Sequence, residues 1–306
     1  IPIPQTLEAF FFEGSPFFEE GAHWATHAPS EFFRYCNLNF GVMATAVENI
    51  TGQRFDEYMQ TAVLRPLGLT AAYNVAQLPD NEISHIAALY RKVEGGVWNP
   101  QGRWVAQADD YRGVKPRPLA QLENPDVQTD FEAKFGRPQL PQELEAYRLG
   151  TNGTLFSPQG GLRISLPDLA RLMQMFLRGG EPLLRPETVR LMLSEQWRYD
   201  GSLPNGDSFS GLMRSWGLSV HRFTHSGTAG DGDKLLADRP LYLVGHLGEA
   251  YGLLSGFLFD PAAQHGLLYI LNGVSADPLT YSGRYSSFSR WEEKILTILG
   301  DELLAY

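Results

Sequence analysis

The stretch YCNLNFGVMATAVENITG, residues 35–52, predicts a helix that begins directly after a tyrosine and an asparagine. Apolar residues recur in it at helical spacing. These residues are Val42, Ala46, Val47 and Ile50. Gly52 follows at a position where helices commonly end.

Tyr35 and Asn37, which precede this helix, allow two interpretations. A tyrosine has an unperturbed pKa of about 10, so it acts as a base only beside a group that stabilises the phenolate. An asparagine offers both an amide donor and a carbonyl acceptor to a substrate. The alternative is a core tyrosine beside an asparagine that caps the helix, and the pair taken alone favours that alternative.

Composition describes an ordinary globular chain and excludes several classes of partner. The 306 residues contain 25 Lys and Arg against 35 Asp and Glu, a net charge of −10, which argues against nucleic acid or an anionic membrane as partner. The single cysteine, Cys36, excludes an internal disulfide and a cysteine-based metal site. No run of apolar residues is long enough to span a bilayer, so we expect no transmembrane segment.

Three further helices are predicted. One runs from about Phe55 to Leu64 and ends before Pro66. Another begins after Ser165 and ends at Gly179, and its buried face is expected to contain Leu169, Leu172, Met173 and Phe176. The last begins with a capping box formed by Ser289 and Glu292, and its buried face is expected to contain Trp291, Ile295, Ile298 and Leu299.

Strands are predicted in the last third of the chain. The runs WGLSVHRF (216–223), GLLSGFLFD (252–260) and HGLLYILNGV (265–274) are short, apolar and bounded by turns, which is typical of adjacent antiparallel strands. The sequence therefore predicts an α+β fold with an antiparallel sheet flanked by helices and a mostly helical subdomain.

These elements suggest four regions. Residues 1–74 are expected to form a helical subdomain, and residues 75–150 a loop-rich insertion with one short helix near Gln142–Tyr147. Residues 151–210 are expected to continue the helical subdomain. Residues 211–306 are expected to contain the sheet strands and the final helix.

His246 is a second candidate for chemistry. It precedes Leu247 and Gly248 in a predicted strand that also contains other glycines, and glycines inside a strand often mark the close approach of a ligand or a second backbone. His246 could donate hydrogen bonds or charge at one end of a cleft. The alternative is a structural histidine with its hydrogen bonds satisfied.

Two pairs of histidines have the spacing of zinc ligands on a helix, His23 with His27 and His221 with His225. Neither pair encloses the glutamate of a zinc hydrolase motif, and residues 221–225 are predicted as strand, where that spacing does not converge on one ion. We therefore predict no metal site and no cofactor. The hypothesis that the protein is an unrelated metal hydrolase depends on these two histidine pairs alone.

Three blocks, taken in order, resemble the serine β-lactamase-related superfamily, which includes class C β-lactamases, DD-peptidases and esterases. They are YCNLNFGVMATAVENITGQRFDEYMQTAVLRPLGL (35–69), SPQGGLRISLPDLARLMQMFL (157–177) and GHLGEAYGLLSGFLFDP (245–261). The resemblance implies the β-lactamase/transpeptidase-like fold. It also implies that Tyr35 is a general base and Asn37 a substrate contact.

The third family motif, usually Lys-Thr-Gly with His-Thr-Gly as a variant, matches His246-Leu247-Gly248. The resemblance implies that Glu249 gives a backbone N–H to the oxyanion hole and that Tyr251 also contacts substrate. Two departures from the motif weaken the case for an efficient β-lactamase. Histidine removes a permanent cation, and Leu247 removes a hydroxyl, which suits an esterase or a peptidase of relaxed specificity.

The family nucleophile, Ser-x-x-Lys, is a larger departure, because no serine in these 306 residues has a lysine three positions later. In the family this motif precedes Tyr-x-Asn, so we expect the nucleophile on an N-terminal segment outside this sequence. The function expected is a serine hydrolase that forms an acyl-enzyme with a small ester, amide, peptide-like or β-lactam substrate. A non-catalytic relative that binds a ligand or partner is the alternative. The resemblance favours a periplasmic or secreted protein, and a cytoplasmic one stays open.

Overall fold

A computed structural model describes residues 6–115, 144, 147–203 and 205–305. The chain divides into two compact units. The first consists of Ile1–Thr26, Cys36–Leu89 and Ala106–Asp168, and the second of His27–Tyr35, Tyr90–Val105 and Leu169–Tyr306. The four regions predicted from the sequence stay a prediction.

Most of the regular structure described in the first unit is helical, as expected for the fold. Its helices are α1 (Glu8–Phe11), α2 (Leu38–Thr51), α3 (Phe55–Tyr58), which continues as a π-helix over Met59–Leu64, and α4 (Asp80–Ile83). The two helices predicted in this part of the chain are confirmed. Gly52 ends α2 with a left-handed backbone, φ 67°, which a glycine adopts without steric cost.

The apolar residues that recur along α2 do not form its buried face. Val42 is 39% exposed and Ile50 84% exposed. The buried positions are instead Gly41, Ala44 and Glu48. A Cβ on Gly41 would overlap the carbonyl oxygen of Gly153, so this face packs through backbone contact, where a branched side chain has no room.

Glu48 explains why a carboxylate can occupy the buried face of α2. Its Oε1 accepts hydrogen bonds from the N–H of Phe55 at 3.0 Å and from Nδ2 of Asn152 at 3.3 Å. Its Oε2 accepts from the hydroxyl of Tyr147 at 2.6 Å and from the N–H of Gly150 at 2.9 Å. Four donors therefore satisfy the buried carboxylate, which would otherwise be costly.

The second unit contains a six-stranded antiparallel sheet, which confirms the predicted sheet. The strands are β4 (Trp197–Arg198), β5 (Ser215–Trp216), β6 (His221–Arg222), β9 (Val244–Ala250), β10 (Leu253–Asp260) and β11 (His265–Asn272). Their spatial order in the sheet is β11-β10-β9-β6-β5-β4.

The run WGLSVHRF is not one strand. It forms the end of β5, a turn and the start of β6, and Trp216 pairs with His221 across the turn. The N–H of Gly217 donates to the carbonyl of Val220 at 2.7 Å, and Ser219 takes a left-handed backbone, φ 56°. The apolar pattern alone does not reveal this reversal.

Helices cover the two faces of the sheet. α5 (Leu166–Leu177), whose first turn belongs to the first unit, and α6 (Pro186–Leu193) share one apolar cluster with Phe259. α7 (Arg290–Leu304) shares the other cluster, which includes Leu258 and Leu296. In α5 the buried residue Met173 lies on the predicted face.

α7 confirms the predicted capping box but not the whole predicted buried face. The Oγ of Ser289 accepts from the N–H of Glu292, and the Glu292 carboxylate accepts from the N–H of Ser289 in return. Ile298 is 54% exposed. The buried positions are instead Glu292, Glu293, Leu296 and Gly300.

Two smaller sheets complete the described strands. β1 (Leu89–Glu94), β2 (Val97–Trp98) and β3 (Arg103–Ala108) form a three-stranded sheet, a feature that the polar composition of 75–150 did not predict. β7 (Gly227–Thr228) and β8 (Asp231–Gly232) form a two-stranded ribbon. Of the helix predicted near Gln142–Tyr147, the structure describes residues 144 and 147 alone, and the remaining positions lie outside the described residues. None of the helices that the structure describes has the length and apolarity needed to cross a membrane.

Candidate active site

Tyr35 lies at the end of a short segment of the second unit that pairs with a later loop. The N–H of Phe33 donates to the carbonyl of Asn205, and the N–H of Asp207 donates to the carbonyl of Phe33, both at 2.9 Å. The ring of Phe33 stacks on Trp197 at 4.4 Å and on Trp216 at 5.4 Å. These contacts fix the direction in which the chain reaches Tyr35.

Tyr35 and His246 are neighbours, although 211 positions separate them in sequence. Their ring centroids are 6.0 Å apart. Both rings also contact the indole of Trp216, at 5.8 Å for Tyr35 and 5.6 Å for His246. Phe209 contacts Tyr35 edge-on at 6.4 Å. Tyr35 is therefore a half-buried phenol in a group of aromatic rings that includes an imidazole.

His246 lies on β9 just beyond the part of that strand which β6 covers. β6 pairs only with Val244 and Gly245, whereas β10 pairs with β9 as far as Ala250. From His246 onward, β9 therefore has no pairing with β6. A free strand edge presents backbone N–H and C=O groups to an extended ligand.

The imidazole of His246 is a neutral acceptor at neutral pH. Its Nδ1 lies 2.5 Å from the carbonyl oxygen of Leu247, which requires Nδ1 to carry the proton and leaves Nε2 with a lone pair. Within the described residues Nε2 is buried and has no hydrogen-bond partner. Burial lowers the pKa of His246 below its ordinary value, and the hydrogen bond to Leu247 opposes this only in part.

Leu247 and Gly248 follow His246 on β9. The side chain of Leu247 packs against the apolar cluster on the α7 face of the sheet. Gly248 pairs with Ser255 on β10, and a Cβ on Gly248 would overlap the Ser255 hydroxyl. Glycine at this position therefore allows close strand contact.

Glu249 and Tyr251 lie at the end of the β9–β10 hairpin. Partial burial and the negative charges of Asp277 and Glu292 raise the pKa of Glu249, and Arg91 opposes them. Tyr251 takes a left-handed backbone, φ 55°, together with Gly252, φ 85°. Two consecutive positive φ angles are the requirement of a tight hairpin turn, which makes the shape of the turn dependent on Tyr251.

Asn37 precedes α2 in the first unit, with Cys36 between it and Tyr35. The interpretation of Asn37 as a helix cap is wrong. Its backbone is already helical, φ −60° and ψ −34°, and its side chain makes no capping hydrogen bond. The Asn37 side chain is exposed, and Cys36 is half-buried.

Trp216 and His221 are residues that the sequence did not single out for this site. His221 stacks on Trp216 with ring centroids 5.1 Å apart and planes 5° from parallel, and it is 2% exposed. Burial, with the nearby His246 as a smaller cause, lowers the pKa of His221 to about 3. His221 thus packs against the indole of Trp216 as a neutral ring. Separately, the residues that the structure describes contain no cluster of three or more metal-ligating side chains.

Known structures share this fold. The D-amino acid amidase from Ochrobactrum anthropi SV3, complexed with D-phenylalanine, superposes with a TM-score of 0.53 at 13% identity, over 90% of this chain and 59% of that chain. The complex of the same amidase with L-phenylalanine also superposes with a TM-score of 0.53. The identity is 14%, and the match covers 89% of this chain and 57% of that chain. The α+β, β-lactamase/transpeptidase-like fold predicted from the sequence is confirmed.

A family model described as Beta-lactamase matches residues 11–285, so the chain belongs to the Beta-lactamase family, and the predicted superfamily is confirmed. Among curated proteins, the "Putative D-alanyl-D-alanine carboxypeptidase" of Escherichia coli (strain K12) is 24% identical over 224 residues. That match covers 67% of this chain and 42% of the relative, so the chain spans less than half of the relative's length.

Proposed function

We propose that this chain is part of a serine hydrolase that forms an acyl-enzyme with an ester, amide or β-lactam substrate. The observation that supports the proposal is the 6.0 Å separation between the rings of Tyr35 and His246, both in contact with Trp216. The named relatives, an amidase and a carboxypeptidase, are similar proteins that fit acyl transfer.

Tyr35 and His246 would transfer the proton during acylation. As the serine oxygen bonds to the substrate carbonyl carbon, its proton passes to the Tyr35 oxygen, and the Tyr35 proton passes to Nε2 of His246 once the two groups have come within hydrogen-bond distance. The imidazolium then returns a proton through Tyr35 to the leaving group as the bond to that group breaks. A neutral His246 with a free lone pair on Nε2 suits this role.

The free part of the β9 edge would bind the substrate. Leu247 and Gly248 would lie beside it, and the N–H of Glu249 would donate to the carbonyl oxygen as negative charge develops there. Such a donor typically contributes about 10²–10³ in rate. Asn37 would orient the substrate through its amide, and Tyr251 would contact it from the hairpin turn.

The nucleophile would come from residues outside this sequence. No Ser-x-x-Lys occurs in the 306 residues, and the chain spans 42% of its curated relative and 59% of the amidase structure. We propose that a further segment of the same protein supplies both the serine and the lysine that assists its deprotonation.

A fluorophosphonate probe tests the proposal on the complete natural protein. The expected result is one added probe mass, and peptide mapping should place the label on a serine outside these 306 residues. Tyr35→Phe should slow labelling and ester turnover by roughly 10²–10⁴, because it removes the proton carrier. Tyr90→Phe, at an exposed tyrosine, is the matched control and should label at the wild-type rate. Unchanged turnover in Tyr35→Phe would remove Tyr35 from the mechanism.

The pH dependence tests His246 separately. Because burial lowers its pKa, the imidazole stays neutral to a pH below its ordinary 6.5. The acidic limb of kcat/KM should therefore lie below pH 6.5, where protonation of Nε2 removes the acceptor. An acidic limb above 6.5 would contradict a neutral acceptor.

The missing Ser-x-x-Lys also favours a second function, a non-catalytic relative that keeps the substrate edge for ligand binding. If the complete protein gains no mass from a fluorophosphonate or a penicillin, this function is the one supported. Saturable binding of a peptide-like ligand, weakened when His246 is replaced by alanine, would then establish it.

A further inference from the structure

A cavity of about 460 Å³ lies in the second unit, between the C-terminal end of α6 and the adjacent sheet strands. None of the seven candidate site residues contributes to its lining. Its walls are largely apolar, with Leu193, Val244, Phe259 and Pro261 among them, and two arginines, Arg198 and Arg222, join them. Small-molecule sites typically combine this volume, apolar walls and a few polar groups.

Arg222 has unused hydrogen-bond donors in this cavity. One Nη1 hydrogen bond goes to the carbonyl of Leu193, the last residue of α6, and caps that helix. Its Nε has no partner among the residues that the structure describes, but that atom is buried, so the donors that Arg222 can present to a ligand are on its terminal nitrogens. A guanidinium carries five N–H donors, and a half-buried one with a single partner is well suited to an oxygen-rich ligand.

Arg198 adds a second cation, which is paired with the carboxylate of Glu195. Glu195 accepts from Nε and Nη2 of Arg198 at 3.1 and 2.6 Å and from the hydroxyl of Ser215 at 2.8 Å. The hydrogen bond from Arg198 is the main cause that lowers the pKa of Glu195, and the charge of Arg222 contributes. The two guanidinium groups therefore retain one positive charge beyond what Glu195 neutralises.

Asp260 also lines the cavity, at the end of β10. Its Oδ1 accepts hydrogen bonds from the N–H groups of Ala262 and Ala263 at 2.8 and 3.2 Å. The turn that follows β10 therefore supplies two of the donors to this carboxylate. Asp260 keeps its own negative charge, so the hydrogen-bond donors left for a ligand are those of the two arginines.

We propose that this cavity binds a small organic carboxylate with an apolar group. The carboxylate would accept from Arg222, with Arg198 supplying further positive charge, and the apolar group would contact Phe259 and Val244. Such a site would be distinct from the substrate edge of β9 and would allow an acidic metabolite to bind without occupying it.

Calorimetric titration of the complete protein with 4-phenylbutyrate tests the proposal. We expect saturable binding, weakened about tenfold to a hundredfold for 4-phenylbutanamide, which lacks the charge, and for acetate, which lacks the apolar group. Arg222→Gln and Arg198→Gln should weaken binding similarly. Arg190→Gln, an equal charge change at an exposed position of α6, should not.

Two further variants make each outcome decisive. If Arg222→Gln does not fold because α6 loses its cap, Arg198→Gln decides, since the Arg198 side chain is 59% exposed and its loss leaves the core intact. Tyr35→Phe should bind 4-phenylbutyrate as tightly as the wild type, whatever its hydrolase activity. Absent or unsaturable binding, equal binding of all three probes, no effect of either arginine, or loss in Tyr35→Phe would overturn the proposal.

Discussion

Helices α2 and α7 both bury glutamates on the face that contacts the rest of their unit, but the donors to these glutamates differ in origin. Glu48 of α2 accepts from Gly150, 102 positions away in the chain. Glu293 of α7 accepts from Arg284, Tyr285 and Ser286, which lie seven to nine positions away. A buried carboxylate can thus fix either a distant segment or the loop beside its own helix.

The difference shows which structure depends on which contact. The segment 147–152 has Glu48 as the common acceptor for three of its groups. The loop 284–286 is already limited by the short chain that connects it to α7. We therefore expect the loss of Glu48 to have the larger effect.

Glu48→Gln should produce the largest loss, about 3 kcal/mol of unfolding free energy, because an amide cannot accept from all four donors and leaves buried N–H groups unpaired. Amide hydrogen exchange should accelerate at residues 147–155, which denaturant unfolding alone would not localise. Glu20→Gln, an exposed acid in the same unit, should leave both measurements unchanged. Equal exchange in the wild type and Glu48→Gln would contradict the long-range role.

Glu293→Gln should cost less, about 2 kcal/mol, because the loop 284–286 stays close to α7 through the short chain that joins them, even when one acceptor is lost. Exchange should accelerate at residues 284–286 and not at 147–155. Glu302→Gln, at an exposed position of α7, is the control. If Glu293→Gln lost more unfolding free energy than Glu48→Gln, the expectation that Glu48 has the larger effect would be wrong.

Glu292→Gln should cost about 1 kcal/mol at pH 5 and less at pH 8. Burial raises the pKa of Glu292, against hydrogen bonds from Ser289 and Tyr269 that lower it. The folded state therefore holds the Glu292 proton to a higher pH than the unfolded state, and the wild type loses stability as pH rises through that range. Glutamine does not titrate, so the difference in unfolding free energy should shrink as pH rises. A difference that grows would show that the pKa is lowered.

Ile50→Ser and Ile298→Ser should have the smallest effects, each within about 0.5 kcal/mol, because both side chains are largely exposed. Leu296→Ala, at a buried position of α7, is the contrasting control and should cost about 2–5 kcal/mol. A cost above 1 kcal/mol for either isoleucine would show that its side chain belongs to a buried face.

The features predicted correctly are local in sequence. The limits of α2, the capping box of α7 and strands β10 and β11 follow from residues a few positions apart. The buried faces of α2 and α7 do not, because a helical pattern ranks glutamate as exposed unless its donors are known. Three of the four donors to Glu48 lie about a hundred positions away, and no local signal links them to it.

The candidate site also contains residues that the sequence predicted and residues that it missed. Tyr35 and His246 were selected through a family resemblance, since neither motif alone indicated the 6.0 Å contact. Trp216 and His221 were missed because their run has the apolar pattern of one strand, while the structure reverses the chain between them. The sequence left open whether His246 donates hydrogen bonds or charge, and its lowered pKa depends on burial, which only coordinates reveal.

Cys36 has a practical consequence that follows from its place between Tyr35 and Asn37. It is the sole cysteine of these 306 residues and is partly accessible. A thiol-reactive fluorophore of small size would therefore attach at one position in this chain, one residue from the proposed proton carrier. Its emission would follow arrival and departure of a ligand in real time, without prior removal of competing thiols from these residues.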